Sequence, residues 1–110
     1  MTAASLVLVD FVDGRVAGVD GFVRADVDAG TWTALAQGCA AGRHDLASLW
    51  ADNGVMRLAL CDPARGLRAI ASLPVVAGRY PSVATRHLPA LRLERAMRDL
   101  YGVEPAGLPD

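Results

Sequence analysis

One alternating segment, bounded on both sides by turn signals, limits the folds open to this chain. Met56, Leu58 and Leu60 are apolar at every second position, with Arg57 between the first two. A period of two places one set of side chains on the buried face of a strand. The preceding residues 52–54, Asp-Asn-Gly, are typical of a tight turn between two antiparallel strands. The centre of the chain is therefore predicted to be a β-hairpin.

The flanking segments extend this hairpin into a meander. Residues 62–66, Asp-Pro-Ala-Arg-Gly, form a second turn signal, and short loops join strands that are antiparallel neighbours. The predicted strands cover residues 43–51, 55–61 and 67–73, followed by a looser extended piece at 74–80.

The first 27 residues also have strand-like composition. Residues 6–12 are rich in β-branched side chains, residues 22–27 alternate, and Asp13-Gly14 and Asp20-Gly21 are turn dipeptides. We expect residues 1–20 to be loosely held unless they find a sheet partner.

Two helices are predicted, one on each side of the meander. Asp28 is a suitable N-cap for a helix that ends near Gly42. The face of this helix that is predicted to be buried contains Trp32, Leu35, Ala36 and Cys39.

The second helix covers residues 86–101. Pro89 suits its first turn, and Gly102 suits its left-handed end. Its apolar stripe consists of Ala90, Leu93, Met97 and Leu100 or Tyr101. The spacing predicts two exposed ion pairs, Glu94–Arg98 and Arg95–Asp99.

These elements define the expected fold class. We predict a single α+β domain over residues 1–110, with an antiparallel sheet of three to five strands, one helix before the meander and one C-terminal helix.

Composition excludes several function classes. All eleven basic residues are arginines, and net charge changes from −4 in residues 1–52 to +3 in residues 53–110. The arginines are scattered without interleaved aromatic residues, so nucleic-acid binding is not predicted. No apolar run approaches the length of a membrane span, and no signal peptide is indicated. A cytoplasmic location is expected.

The cysteine and histidine residues do not indicate an active site. Cys39 and Cys61 are 22 residues apart without a CxxC pair, so we predict two reduced thiols and no metal site. His44 and His87 are isolated and are expected at the surface or in capping roles. Glycine-rich nucleotide motifs are absent from the sequence. We therefore predict no catalytic, metal-binding or cofactor-binding residues.

The last thirty residues contain an ordered series of short motifs. The series resembles the end of the domain found in the thirty-kilodalton subunit of proton-pumping NADH:quinone oxidoreductase. A similar domain forms the N-terminal part of the large subunit in complex-I-related, membrane-bound nickel-iron hydrogenases of the formate hydrogenlyase type. The matching positions are Pro81-Ser82, Ala90, Glu94-Arg95, Asp99, Leu100-Tyr101-Gly102-Val103, Gly107 and Pro109-Asp110.

The resemblance implies a non-catalytic assembly domain that docks on the catalytic large subunit, a 49 kDa-like or hydrogenase-like chain, and meets the membrane only through partner subunits. The chain would then be a peripheral protein at the inner face of the cell membrane. The partner-binding residues it implies are Glu94, Arg95, Arg98, Asp99, Tyr101, Gly102, Gly107, Pro109 and Asp110.

Three positions depart from the family pattern. Ala96 replaces a second glutamate, Leu93 replaces an aromatic residue, and Leu108 replaces a histidine. These changes predict an altered partner surface. The family also continues beyond the Pro-Asp step, so the resemblance implies either a fragment of a longer protein or a separate small subunit.

The alternative hypothesis is a stand-alone small α+β ligand-binding domain unrelated to electron transfer. It requires a pocket with convergent polar groups. An apolar pocket that contains His44 or His87 together with a carboxylate would favour it.

Overall fold

The computed structural model describes residues 7–84 and 87–106. The α+β class is confirmed, with a helix before the central strands and a helix after them. The elements of this part are α1 (Leu8–Val12), β1 (Val23–Asp26), α2 (Ala29–Ala40), β2 (Asp45–Asp52), β3 (Val55–Asp62), β4 (Leu67–Pro74), β5 (Arg79–Pro81), a 3₁₀ turn (Leu88–Ala90), α3 (Leu91–Tyr101) and β6 (Glu104–Ala106).

The predicted meander is confirmed. Strands β2, β3 and β4 are consecutive antiparallel neighbours. Asn53 and Gly54 both have positive φ angles, 49° and 78°, which is the backbone of a type I′ hairpin turn. Leu58 pairs with Leu49 on one side and Ala71 on the other, so the apolar side chains of three strands share one face.

The sheet is mixed, which corrects the prediction of an antiparallel sheet. Its order is β1-β4-β3-β2, and β1 runs parallel to β4 with Val23 opposite Ala69. The alternation of residues 22–27 predicts a strand but carries no information about its partner or direction. A separate two-stranded parallel sheet joins β5 to β6.

The strand-like N-terminal segment contains a helix, which is a second correction. Leu8 and Phe11 are buried in the core and belong to α1. Their three-residue spacing puts both side chains on one side of a helical turn, and burial there overrides the β propensity of the valines. Helix α1 thus packs against the core through Leu8 and Phe11, and residues 1–6 lie outside the described part.

Helix α2 forms as predicted and covers the sheet. Asp28 caps it, because its carboxylate accepts a 2.8 Å hydrogen bond from the backbone N–H of Thr31. Trp32, Leu35, Ala36 and Cys39 are all buried in the core. Burial raises the pKa of the Cys39 thiol to about 12, with smaller contributions from Asp45 and Cys61. Both cysteines are free, and Cys61 is half-buried.

Within the described ranges, no helix is both long and apolar enough to cross a membrane.

Candidate functional site

Helix α3 carries most of the residues that sequence analysis assigned to partner binding. It covers Leu91–Tyr101 and follows the 3₁₀ turn that contains Pro89. Gly102 ends it in the left-handed conformation, with φ of 70° and its N–H donating to Arg98 O at 3.0 Å. The predicted helix end is confirmed. Its predicted start, Arg86, lies outside the described residues, but residues 87–90 do not belong to the α-helix, so α3 begins later than predicted.

The carboxylate of Glu94 is completely buried and points into the domain. Its Oε1 accepts hydrogen bonds from Ser82 Oγ at 2.6 Å and from the Ala84 N–H at 3.0 Å. Its Oε2 accepts a bond from the Val83 N–H at 2.9 Å. Three donors from one short segment therefore bind this carboxylate, and charge-assisted bonds of this kind are stronger than neutral ones.

The exposed Glu94–Arg98 ion pair predicted from spacing is wrong. Four-residue spacing is typical of a solvated pair, but the three donors of residues 82–84 take up the carboxylate in the interior. Asp99 contacts its neighbour Arg98, at 3.6 Å, in place of the predicted partner Arg95. Both side chains of that contact are exposed, so it adds little to stability.

Two aromatic residues pack beside the Glu94 network. The indole Nε1–H of Trp32 donates to Pro81 O at 2.9 Å, and the rings of Trp32 and Tyr80 meet edge to face with centroids 6.2 Å apart. The Tyr80 hydroxyl is buried close to the Glu94 carboxylate. Burial, then the neighbouring charge of Glu94 and its hydrogen-bonding interaction with the hydroxyl, raise the pKa of Tyr80. The Pro81-Ser82 step and Glu94, which are separate motifs in sequence, thus belong to one buried structure.

The opposite side of α3 is exposed. Arg92, Arg95 and Arg98 recur at three-residue spacing on that side, with Asp99 beside them. Their exposure leaves a mainly cationic surface along the helix.

The end of the apolar stripe is also exposed, contrary to the amphipathic prediction. Ala90 and Met97 are buried, but Leu100 is 71% exposed and Tyr101 is 59% exposed. The last turn of α3 therefore extends past the core that covers its earlier turns. Gly102 is exposed beside them, while the remaining predicted partner residues, Gly107, Pro109 and Asp110, lie outside the described residues.

A groove of about 460 Å³ opens where the helix extends past the core. It is bounded by the end of α3, the start of β6 and the β2–β3 turn. The lining residues are Ala51, Asp52, Asn53, Gly54, Tyr101 and Val103. Sequence reasoning identified residues 52–54 only as a turn, because nothing in their spacing relates them to Tyr101.

His44 is buried, and the expectation of a surface or capping role is wrong. Its Nε2 lies 2.7 Å from the carbonyl oxygen of Leu35, while Nδ1 is buried without a partner in the described ranges. The ring packs against Gly38, where a Cβ atom would overlap it. Burial lowers the pKa of His44, so the neutral imidazole that donates from Nε2 is favoured. This arrangement is that of a core residue joining α2 to β2.

Other chemistry-bearing groups do not converge in the described part of the chain. No set of three or more His, Cys, Asp or Glu side chains could hold a metal ion there. His87 is half-buried, and its backbone N–H bonds Val83 O at 2.8 Å. Three grooves formed by described residues, of about 460, 320 and 250 Å³, are lined by neither His44 nor His87. The pocket that would favour the ligand-binding alternative is therefore not among them.

Comparison of the sequence with models of known protein families and with curated proteins finds no match.

Proposed function

We propose that this chain is a non-catalytic assembly domain of an NADH:quinone oxidoreductase-like or membrane-bound nickel-iron hydrogenase complex. It docks on the catalytic large subunit of that complex and holds no cofactor of its own. Its location is cytoplasmic, at the inner face of the membrane, which it meets only through partner subunits. The proposal starts from the series of motifs between Pro81 and Asp110.

The observation that carries the proposal is the division of these motif residues between the two sides of α3. Glu94 points inward and binds residues 82–84. Arg95, Arg98 and Tyr101 are exposed. An inward carboxylate fixes the orientation of the helix, and a fixed helix can present a preorganised outer face to a partner.

The character of the outer face indicates what it binds. Arg92, Arg95 and Arg98 supply three positive charges against the single negative charge of Asp99. Arginine is enriched at protein interfaces because its planar fork forms paired bonds with carboxylates. The exposed Leu100 and Tyr101 add apolar area at the end of the same helix. We infer that the large subunit has an acidic surface opposite the arginines and an apolar margin opposite Leu100.

The departures from the family pattern modify this surface. Ala96 and Leu93 carry no charge, and both are half-buried against the core. Neither therefore contributes a charged group to the outer face of α3. The partner contacts of this chain are therefore assigned to Arg95, Arg98 and the end of the helix, while Glu94 acts by positioning α3.

The test is binding of the purified large subunit from the same organism to the chain and to charge-reversal variants. Arg95→Glu combined with Arg98→Glu should weaken binding at least about tenfold, because like charges would oppose each other across the interface. Arg24→Glu is the control for charge reversal elsewhere on the surface, since Arg24 is about as exposed as Arg98 but pairs with Asp20 and lies on β1 at the other edge of the sheet. Circular dichroism should show that all three proteins are folded. Equal binding by the double variant and the control would contradict the proposal.

A further inference from the structure

The groove beside Tyr101 has an aromatic and polar lining. It combines an aromatic ring from Tyr101, a carboxylate from Asp52, an amide from Asn53 and backbone from Gly54. None of the described residues that line it is cationic, although Arg57 Nε approaches the Asp52 carboxylate to 3.5 Å. A volume of about 460 Å³ lies within the roughly 300–1,000 Å³ range of small-ligand pockets.

The walls of the groove are held in place by backbone contacts. The Val75 N–H donates to Gly54 O at 2.8 Å, and the Glu104 N–H donates to Gly78 O at 2.8 Å. These bonds connect the β2–β3 turn and the start of β6 to the segment between β4 and β5. Because this backbone is already held in place, it loses little conformational entropy when the groove is filled.

The carboxylate of Asp52 is only weakly engaged within the chain. Its Oδ2 lies 3.5 Å from Arg57 Nε, and the Asp52 side chain is half exposed. That separation is long for a charge-assisted hydrogen bond. An apolar occupant would remove water from this carboxylate without replacing the lost hydrogen bonds, which is unfavourable.

We propose that this groove binds an arginine side chain of the partner. The guanidinium would stack on the Tyr101 ring and form its hydrogen bonds with the Asp52 carboxylate and the Asn53 amide oxygen. Arginine suits such a site better than lysine because its planar group stacks on rings and bonds two acceptors at once. The chain itself contains both kinds of contact, with Arg68 over the Phe22 ring at 5.4 Å and Arg24 bound to Asp20 at 2.8 Å.

The identity of the chain that supplies the arginine rests on the proposed function, whereas the chemistry of the groove does not.

Binding to the groove is tested by titrating ¹⁵N-labelled protein with N-acetyl-arginine amide, with the lysine and leucine analogues as comparisons. Amide signals of Asn53, Gly54 and Tyr101 should shift together and saturate. The arginine probe should bind about fivefold more tightly than the lysine probe.

Two variants test which side chains of the groove contact the arginine probe. Asp52→Asn keeps the shape of an exposed side chain but removes its charge, and Tyr101→Leu keeps apolar bulk but removes the ring. Each should weaken binding of the arginine probe about fivefold or more. Absence of shifts at the three amides, tighter binding of the leucine probe, or unchanged binding in both variants would overturn the inference.

The purified large subunit separates this inference from the proposed function. Asp52→Asn and Tyr101→Leu should each weaken its binding about tenfold. If both variants bind it like the wild type while the Arg95 and Arg98 double variant does not, the arginine inference fails and the proposed function stands. If the wild-type chain does not bind that subunit, the proposed function fails, and that subunit does not supply the arginine. The probe titration still decides what the groove binds.

Discussion

The hydroxyl of Ser82 lies 2.6 Å from Oε1 of Glu94 and donates a hydrogen bond to it inside the domain. This contact joins the segment after β5 to the middle of α3. Two backbone N–H groups, of Val83 and Ala84, complete the shell around the carboxylate. The orientation of α3, and hence which of its residues face outward, depends on this network.

Removal of the carboxylate should destabilise the fold. Glu94→Ala should lower the free energy of unfolding by about 3 kcal/mol, because it leaves buried donors unsatisfied. Ser82→Ala should cost about 1–2 kcal/mol. Urea unfolding of both single variants and the double variant should give a coupling energy above about 0.5 kcal/mol. A loss below about 0.5 kcal/mol for Glu94→Ala would show that the network does not hold the helix.

Gly38 should resist replacement although it lies within a helix. Gly38→Ala would gain up to about 1 kcal/mol from helix propensity. Its Cβ, however, would overlap the buried imidazole of His44, and overpacking of this kind costs about 1–3 kcal/mol. We therefore expect a lower thermal midpoint.

Gly30→Ala is the matched control for this prediction. Gly30 lies in the same helix, and the nearest described atom to its added Cβ would be the Asp28 carboxylate oxygen, at an ordinary distance of 3.7 Å. Gly30→Ala should leave the thermal midpoint unchanged or raise it. Equal effects of the two substitutions would contradict the packing of His44 against Gly38.

The stability of the domain should fall as pH is lowered below 6.5. Burial lowers the pKa of His44 from its ordinary value of 6.5, Arg43 lowers it further, and the Leu35 carbonyl, Asp62 and Asp45 oppose the shift. Below pH 6.5 the unfolded chain therefore binds a proton that the folded chain does not bind. The contribution of His44 is complete above that pH and is lost with a slope of up to about 1.4 kcal/mol per pH unit below it.

Urea unfolding between pH 8 and pH 5 measures this slope. In His44→Gln the side chain at this position does not titrate, so the dependence between pH 5 and 6.5 should be reduced. Asp20, whose pKa is lowered to about 2 by its bonds to Arg24 and Phe22, does not titrate in that interval. Identical slopes for the wild type and His44→Gln would assign the pH dependence to other groups.

Local signals in the sequence predicted the elements that depend on neighbouring residues. The Asn53-Gly54 turn, the alternation of β3 and the Asp28 cap each involve residues close together in the chain, and each is confirmed. Gly102 was identified as the helix end for the same reason. These features follow from backbone conformation and hydrogen bonding within a few residues.

The errors concern groups whose surroundings come from distant segments. The burial of Glu94 depends on donors 10 to 12 residues away. Strand β1 pairs with β4 at a sequence separation of 46, from Val23 to Ala69. His44, which precedes β2, is enclosed by α2 through Leu35 and Gly38. Such relations set which polar groups are desolvated, and spacing within one element does not reveal them.

The most direct test of the assembly role is affinity purification of the chain, tagged at its N-terminus, from its native organism, followed by quantitative mass spectrometry. The Arg95→Glu, Arg98→Glu double variant is purified in parallel. The account predicts that the wild-type chain recovers a dehydrogenase or hydrogenase large subunit with membrane components, and that the double variant loses them. Recovery of the wild-type chain alone, from cells in which such a complex is expressed, would contradict the assembly role.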